Sequence, residues 1–288
     1  MLDRRRLLAV LAHPDDETFG IGGTLALYAR REVDVHLVCA TRGEVGSAPP
    51  ELLRGFASVA ELRESELRCA AAMLGLASVS FLDYRDSGMP GSPDNHHPQA
   101  LAAAPLEEVA AKVTHWMRRL RPDVVITSDP QGGYRHPDHI AIQRATQAAF
   151  FTAGDPGHDS SGLAPHQPAR LYFHTFPRRA MRLFVLLMPL FGKNPRKWGQ
   201  NKDIDLVAIA NMDIPVHARI DIRSVMHIRN EASACHASQG GRAGGRITRL
   251  LSRMLGGRET FMRAHPPAPA GLHEQDLFEG LDAAPPQA

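Results

Sequence analysis

The chain has 288 residues, with 33 Lys and Arg against 31 Asp and Glu and a formal charge of +2. Hydrophobic residues make up 43% and charged residues 22%, the balance of an ordinary folded protein, which excludes a disordered chain. So small a charge excess gives no basis for bulk attraction to nucleic acid, and the length is ample for one large domain with a sizeable core.

The first twelve residues, MLDRRRLLAVLA, have the charged-then-apolar order of a secretory signal. No small-residue cleavage site follows, and Asp15, Asp16 and Glu17 come directly after. Leu7–Leu11 therefore reads as a buried strand, with Thr18–Arg31 as the helix behind it. Val33–Ala40 is the next strand. Ala57–Leu74 is a helix in which Glu61, Arg63, Glu64, Glu66 and Arg68 interleave an apolar stripe, with Gly75 as its C-cap. Val79–Leu82 is a short strand, Leu106–Leu120 a helix stopped before Pro122, and Asp123–Thr127 another buried strand.

Beyond Phe150 the pattern loosens. Gly154–Pro168 is a loop and Arg170–His174 a strand. Arg178–Trp198 mixes apolar residues with six cations; it reads first as an amphipathic helix packed on the domain, otherwise as a mobile lid or a membrane-surface helix. Its apolar run, Leu183–Phe191, contains Pro189 and is too short to span a bilayer, so a cytoplasmic protein is expected. Ala218–Ile222 and Arg223–His236 form a last strand and helix, and the Pro-rich stretch 266–288 is an extended tail. Cys39, Cys69 and Cys235 are odd in number, far apart and set among apolar neighbours, so all three are expected as free thiols in a reducing compartment.

Strands alternating with helices imply an α/β fold, a Rossmann-like, mostly parallel sheet with helices on both faces. Ligands of such sheets bind beyond the carboxyl ends of the strands, here just after Leu11, Ala40, Leu82 and Thr127. His13-Pro14-Asp15-Asp16-Glu17 begins at the first of these ends. A tight strand-to-helix turn can aim His13 and Asp16 at one point, with Asp15 facing the same cavity and Pro14 stiffening the turn. Acids also favour a first helical turn, but that does not explain His13 beside them. The second constellation, Gly132-Gly133-Tyr134-Arg135-His136-Pro137-Asp138-His139, follows the strand ending at Thr127. Its His139 completes a two-His, one-carboxylate set with His13 and Asp16, leaving a position open for water as in catalytic zinc sites. Non-haem iron enzymes use similar donors. A dinucleotide site at Gly20-Ile21-Gly22-Gly23 is disfavoured: Leu25 stands where the last Gly or Ala belongs, and three acids would repel a pyrophosphate. Those glycines read as close packing of helix on sheet.

AHPDDE at 12–17 together with HPDH at 136–139 resembles the LmbE/PIG-L family of zinc-dependent N-acetylglucosaminyl deacetylases, closest to its mycothiol-pathway deacetylase and conjugate amidase members. Further segments are similar: Thr41-Arg42-Gly43-Glu44, Arg63 with Glu66, Arg85-Asp86-Ser87-Gly88-Met89 and His236-Ala237-Ser238-Gln239. The resemblance covers about residues 5–150 well and 216–240 loosely. It implies one domain over 1–265, with core 5–150, a variable insert 151–215 and a C-terminal strand and helix in 216–240.

By the resemblance His13, Asp16 and His139 hold the metal, Zn2+ or another divalent ion such as Fe2+. Asp15 is the general base. His136, as a cation, stabilises the oxyanion or protonates the leaving amine, and Asp138 orients it. Tyr134 helps polarise the carbonyl, while Glu44, Arg63, Asp86 and Gln239 contact the sugar conjugate. Read by themselves, Arg63 can be an exposed i,i+3 partner of Glu66, Asp86 a turn residue, Glu44 an ambiguous neighbour of a glycine and His236 a structural histidine. Arg135 replaces the small residue common before HPDH and Arg229 a frequent lysine, suggesting an anionic or larger aglycone. The expected partner is a small amino-sugar conjugate, with no nucleic acid, no stable membrane insertion and homo-oligomers allowed. Cleavage of a larger amide, iron chemistry and a non-catalytic sugar-binding module are the alternatives.

Overall fold

Five short apolar runs, each too short for a stable helix, pair side by side in parallel: β1 (Arg6–Leu11), β2 (Asp34–Cys39), β3 (Ser78–Phe81), β4 (Val124–Thr127) and β5 (Arg170–Thr175). The computed structural model describes residues 4–158, 162–175, 178–197, 205–211, 213–241 and 257–281. The strands are linked by α1 (Asp16–Arg30), α2 (Val59–Leu74), α3 (Leu106–Leu120) and α4 (Pro137–Thr152). Side chains alternate across β1, and both sets are buried. Leu7, Ala9 and Leu11 meet residues of α1 and α2, whereas Leu8, Val10 and Ala12 meet residues of α3 and α4. The expected α/β architecture is therefore present, with a core on each face of the sheet.

Local signals account for the helix ends. Ser58 caps α2 by accepting the Glu61 amide, and Gly75 ends it in the left-handed region at φ +78°. Of the glycines at 20–23, Gly20 faces His174 of β5, while a Cβ on Gly23 would lie 2.5 Å from Ile222 in the segment after 221. Arg178–Trp198 resolves into α5 (Arg178–Leu187) and a short 3₁₀ turn at Met188–Phe191; Trp198 lies outside the described residues. Then come α6 (Leu206–Ala210), β6 (Ala218–Asp221) and α7 (Met226–Cys235).

Three expectations are corrected. An unanticipated strand, β7 (Arg258–His265), inserts antiparallel between β5 and β6, giving the order β3-β2-β1-β4-β5-β7-β6. Glu259 on β7 reaches α1, its carboxylate accepting the Gly23 and Thr24 amides at 2.9 and 2.7 Å. The tail does not extend freely through its described part: Glu274 accepts from Arg170 and Arg263, and Leu277 and Phe278 are buried in the α1 side of the core. Residues 282–288 lie outside the described residues. Cys69 of α2 and Cys235 of α7, 166 residues apart, form a disulfide with Cα atoms 5.9 Å apart, leaving Cys39 as a buried free thiol. The cysteine count thus carries no argument for a reducing compartment. Among the described residues, no helix is long and apolar enough to cross a membrane.

Candidate active site

β1 and β4 are neighbours whose chains leave in opposite directions. β1 leads through α1 to β2 on one side, and β4 leads through α4 to β5 on the other. A crevice must open between their carboxyl ends, and both His/Asp motifs stand there. At the second, Gly132, Gly133 and Arg135 take positive φ values of 69°, 63° and 69°, turning the chain sharply into α4. Pro137 then occupies the first turn of α4, and His136 is its N-cap.

Three donors converge. His13 Nδ1 lies 3.2 Å from His139 Nε2 and 3.7 Å from Asp16 Oδ2, and His139 Nε2 lies 3.3 Å from the same oxygen. Ligands about 2.0–2.1 Å from a tetrahedral ion stand roughly 3.3–3.4 Å from one another, so the set fits a divalent metal. The other nitrogen of His13, Nε2, faces carboxylates: Asp138 Oδ2 at 3.1 Å and Asp86 Oδ1 at 3.5 Å. That places the proton on Nε2 and leaves the Nδ1 lone pair for a metal, the carboxylate–histidine support common around such ions. Burial opposes a charge on His13, but Asp86, Asp138 and Asp16 outweigh it and raise its pKa, so a metal at Nδ1 would displace a proton. Burial also opposes a charge on Asp16, yet His139 and His13 hold its carboxyl well below the usual range.

His136 is also close enough to be counted a donor with His13 and His139. Its Nδ1, however, accepts the Asp138 backbone N–H at 3.2 Å. The proton therefore sits on Nε2, which becomes a hydrogen-bond donor and not a ligand. Burial and the neighbouring His13 and His139 push its pKa down to about 2, which favours a neutral N–H donor over the expected cation. The expected role of Asp138 changes as well. Its carboxylate accepts from Ser87 and meets His13, while only its backbone amide touches His136.

Asp15 sits at φ +124°, a conformation costly for any residue with a side chain, at the mouth of the crevice. Two buried groups hold it. Arg63 donates to Pro14 O at 2.7 Å and to Asp15 Oδ2 at 3.2 Å, and Glu17 Oε2 accepts the Asp15 amide at 2.9 Å. Burial pushes the Asp15 carboxyl up to about 6, against the pull of Arg63. Glu17 Oε1 in turn meets His236 Nε2 at 2.7 Å, both side chains fully buried. The surface pairing of Arg63 with Glu66 does not occur: Glu66 is buried and accepts from the amide and hydroxyl of Ser238.

The donors lie in a cavity of about 670 Å³ whose wall includes Arg63, Asp86, Tyr134 and Gln239. Burial raises the Tyr134 pKa well above its ordinary value, so the phenol stays protonated and can donate. Gln239 also donates to Ser47 O at 3.1 Å. Glu44 is not on the cavity wall; its carboxylate accepts the Asp86 amide at 2.9 Å and braces that loop. Arg135 is exposed and off the wall, which removes the reason to expect an anionic aglycone from it. Two wall residues were not foreseen. His174 is the penultimate residue of β5, where burial lowers its pKa to about 4, and Asp129 follows β4, accepting the Gln131 and Gly133 amides. The strand-end rule, extended to the strand at 170–174, would have found His174. An apolar part of the lining is built by Met181 and Phe184 of α5 and Leu206 and Ile209 of α6.

Residues 8–150 match the family described as PIG-L, GlcNAc-PI de-N-acetylase. The chain is 35% identical over 291 aligned residues to a 1D-myo-inositol 2-acetamido-2-deoxy-alpha-D-glucopyranoside deacetylase of Thermobifida fusca (strain YX), covering 96% of this chain and 100% of the relative. The chain belongs to the PIG-L family. Members of this family are enzymes that hydrolyse an N-acetyl amide, and this PIG-L protein is one of them. Two solved structures share its fold at a TM-score of 0.60 and 21% identity. One is the N,N'-diacetylchitobiose deacetylase of Pyrococcus horikoshii, covering 91% of this chain and 84% of that one. The other is a 4-carboxy-2-hydroxymuconate hydratase of Pseudomonas putida, covering 93% and 99%. A deacetylase and a hydratase on one architecture show that the PIG-L fold does not set the reaction; the side chains at the strand ends must.

Proposed function

We propose that this PIG-L protein removes the N-acetyl group from an N-acetylglucosaminyl conjugate, with an inositol glycoside as the first substrate to test. The observation that carries this reading is the convergence of His13 Nδ1, His139 Nε2 and Asp16 Oδ2 beside the strained Asp15. The name of the Thermobifida relative, aligned over its whole length, supports the choice of sugar and aglycone.

His13, Asp16 and His139 hold the metal, zinc in the first instance; ferrous iron suits the same donors. An ion held there would supply acidity to water and polarise the amide carbonyl. Asp15 accepts the proton of the attacking water, its raised pKa suiting a base that works near neutrality. The His136 Nε2–H donates to the oxygen that becomes negative as the amide carbon turns tetrahedral, and Tyr134 adds a second O–H donor. The C–N bond then breaks, Asp15 returns its proton to the leaving nitrogen, and acetic acid and the amine depart, the acid passing its proton to the amine to give acetate and an ammonium group. Asp138 keeps His13 in the tautomer that presents Nδ1. Arg63, Asp86 and Gln239 meet the sugar hydroxyls from the polar side of the cavity.

The test is primary-amine release from a panel of N-acetylglucosaminyl conjugates headed by the inositol glycoside, run with zinc-loaded wild type and Asp15→Asn. Release by the wild type and its loss in the variant are expected. Absence of release across the panel overturns the substrate class.

A further inference from the structure

Large apolar side chains are exposed at eight described positions, and four of them fall within nine residues. Leu183, Leu186, Leu190 and Phe191 are 45%, 72%, 77% and 63% exposed, on α5 and the turn that follows it. The spacing of Leu183, Leu186 and Leu190 makes one stripe. Met181, Phe184, Val185 and Met188 form the other side of the segment, packed with Leu206, Ile209 and Tyr134. This segment is therefore apolar on two sides but buries only one.

Its charge is equally uneven. Residues 178–202 hold seven Lys and Arg and no acid, leaving 26 cations against 31 acids in the rest of the chain. Lys193 and Lys197 are exposed just beyond the apolar tip. A contiguous exposed apolar patch marks an interaction surface, and its flanking cations say which kind. A second copy of the chain across a twofold axis would set like charges against each other. An anionic bilayer accepts both features, with Leu and Phe entering the acyl boundary while Lys and Arg meet lipid phosphates.

We propose that α5 and the following turn form a docking surface for an anionic membrane. Leu186, Leu190 and Phe191 insert at the interface, and Lys193 and Lys197 pair with headgroups. The inner side of the same segment walls the cavity through Met181 and Phe184, so docking sets the active site against the membrane surface. This surface is independent of the reaction proposed above.

The full chain is floated with vesicles of phosphatidylcholine alone and of phosphatidylcholine mixed with phosphatidylglycerol, at low and raised salt. Wild type rises with the anionic vesicles, less so at raised salt, and stays behind with the neutral ones. Lys193→Gln/Lys197→Gln weakens partitioning roughly 25-fold, from about five-fold per cation. Leu186→Ser/Leu190→Ser weakens it by about ten-fold or more. Both doublets alter exposed positions and keep the wild-type Tm, so lost flotation does not report misfolding. Wild type that fails to float with anionic vesicles, or variants that float as well as wild type, overturns the proposal. A concentration-dependent dimer that dissolves in Leu186→Ser/Leu190→Ser, without vesicle binding, overturns it in favour of a second copy; capture by an acidic polypeptide alone overturns it in favour of a protein partner.

Discussion

The cavity has two unlike sides. Its floor is polar and held by the ends of β1 and β4, with each charged group braced by a buried neighbour: His13 by Asp138, Asp15 by Arg63 and Glu17, Glu17 by His236. Its roof is apolar and carried by α5 and α6, whose described buried residues Met188, Leu206 and Ile209 pack in a small cluster separate from the two main cores. The floor gathers fixed charges, and the proton transfer proposed for it would demand sub-ångström placement. The roof supplies shape and apolar contact, which tolerate variation. Substitutions on the floor should therefore act on chemistry, and those on the roof on binding.

The sharpest test of the floor is metal removal. Chelation, or His139→Ala, is expected to lower kcat by roughly 10³-fold or more, since several kcal/mol of charge stabilisation disappear. Adding zinc back should restore the chelated wild type but not the variant, as read by amine release together with metal content. Asp15→Asn comes next, with kcat down about 10²–10⁴-fold and KM little changed. A rise in KM alone would move Asp15 from chemistry to binding.

The brace beneath Asp15 gives a stability effect with a definite sign. Burial opposes a charge on His236, but the carboxylates of Glu17, Asp15 and Glu66 outweigh it and raise its pKa. A raised histidine contributes stability fully present below its ordinary value near 6.5, and that contribution is lost as pH climbs through the raised value. Glu17→Gln should cost about 3–5 kcal/mol in denaturant unfolding on the acidic side of this window. The deficit should shrink toward alkaline pH, and a deficit independent of pH would mean that the pair acts only as packing. The smallest effect belongs to the roof. Phe184→Ala should leave kcat near wild type and raise KM by about ten-fold, the scale of one apolar contact, for a conjugate whose aglycone reaches α5. A fall in kcat as large as that of Asp15→Asn would erase the distinction between floor and roof.

Legibility followed the same division. Both His/Asp motifs were readable because each lies within a few residues of a strand end, and strands β1 to β5 announced themselves as short apolar runs. β7 did not, because Arg258–His265 mixes polar and apolar residues, and its antiparallel place between β5 and β6 depends on partners remote in the chain. The partner of Asp138 was misassigned for a related reason. The family resemblance pairs it with His136, but the helix start turns the Asp138 carboxylate toward His13, 125 residues away, and leaves His136 only the backbone amide. Arg63 looked like half of an exposed helical pair until its burial and its reach to Pro14 were seen.

By itself, the sequence determined the alternation of strands and helices, the α/β class, the strand ends that carry the two His/Asp motifs and the residue types of that cluster. These depend on hydrophobic period and on groups adjacent along the chain. Tertiary structure alone decided which partners the ring nitrogens of His13 and His136 meet, the strained pose of Asp15, the Cys69–Cys235 link, the packed tail and the apolar roof. Each of these is a contact between segments far apart in sequence, set by how the layers close on one another and invisible to any local pattern.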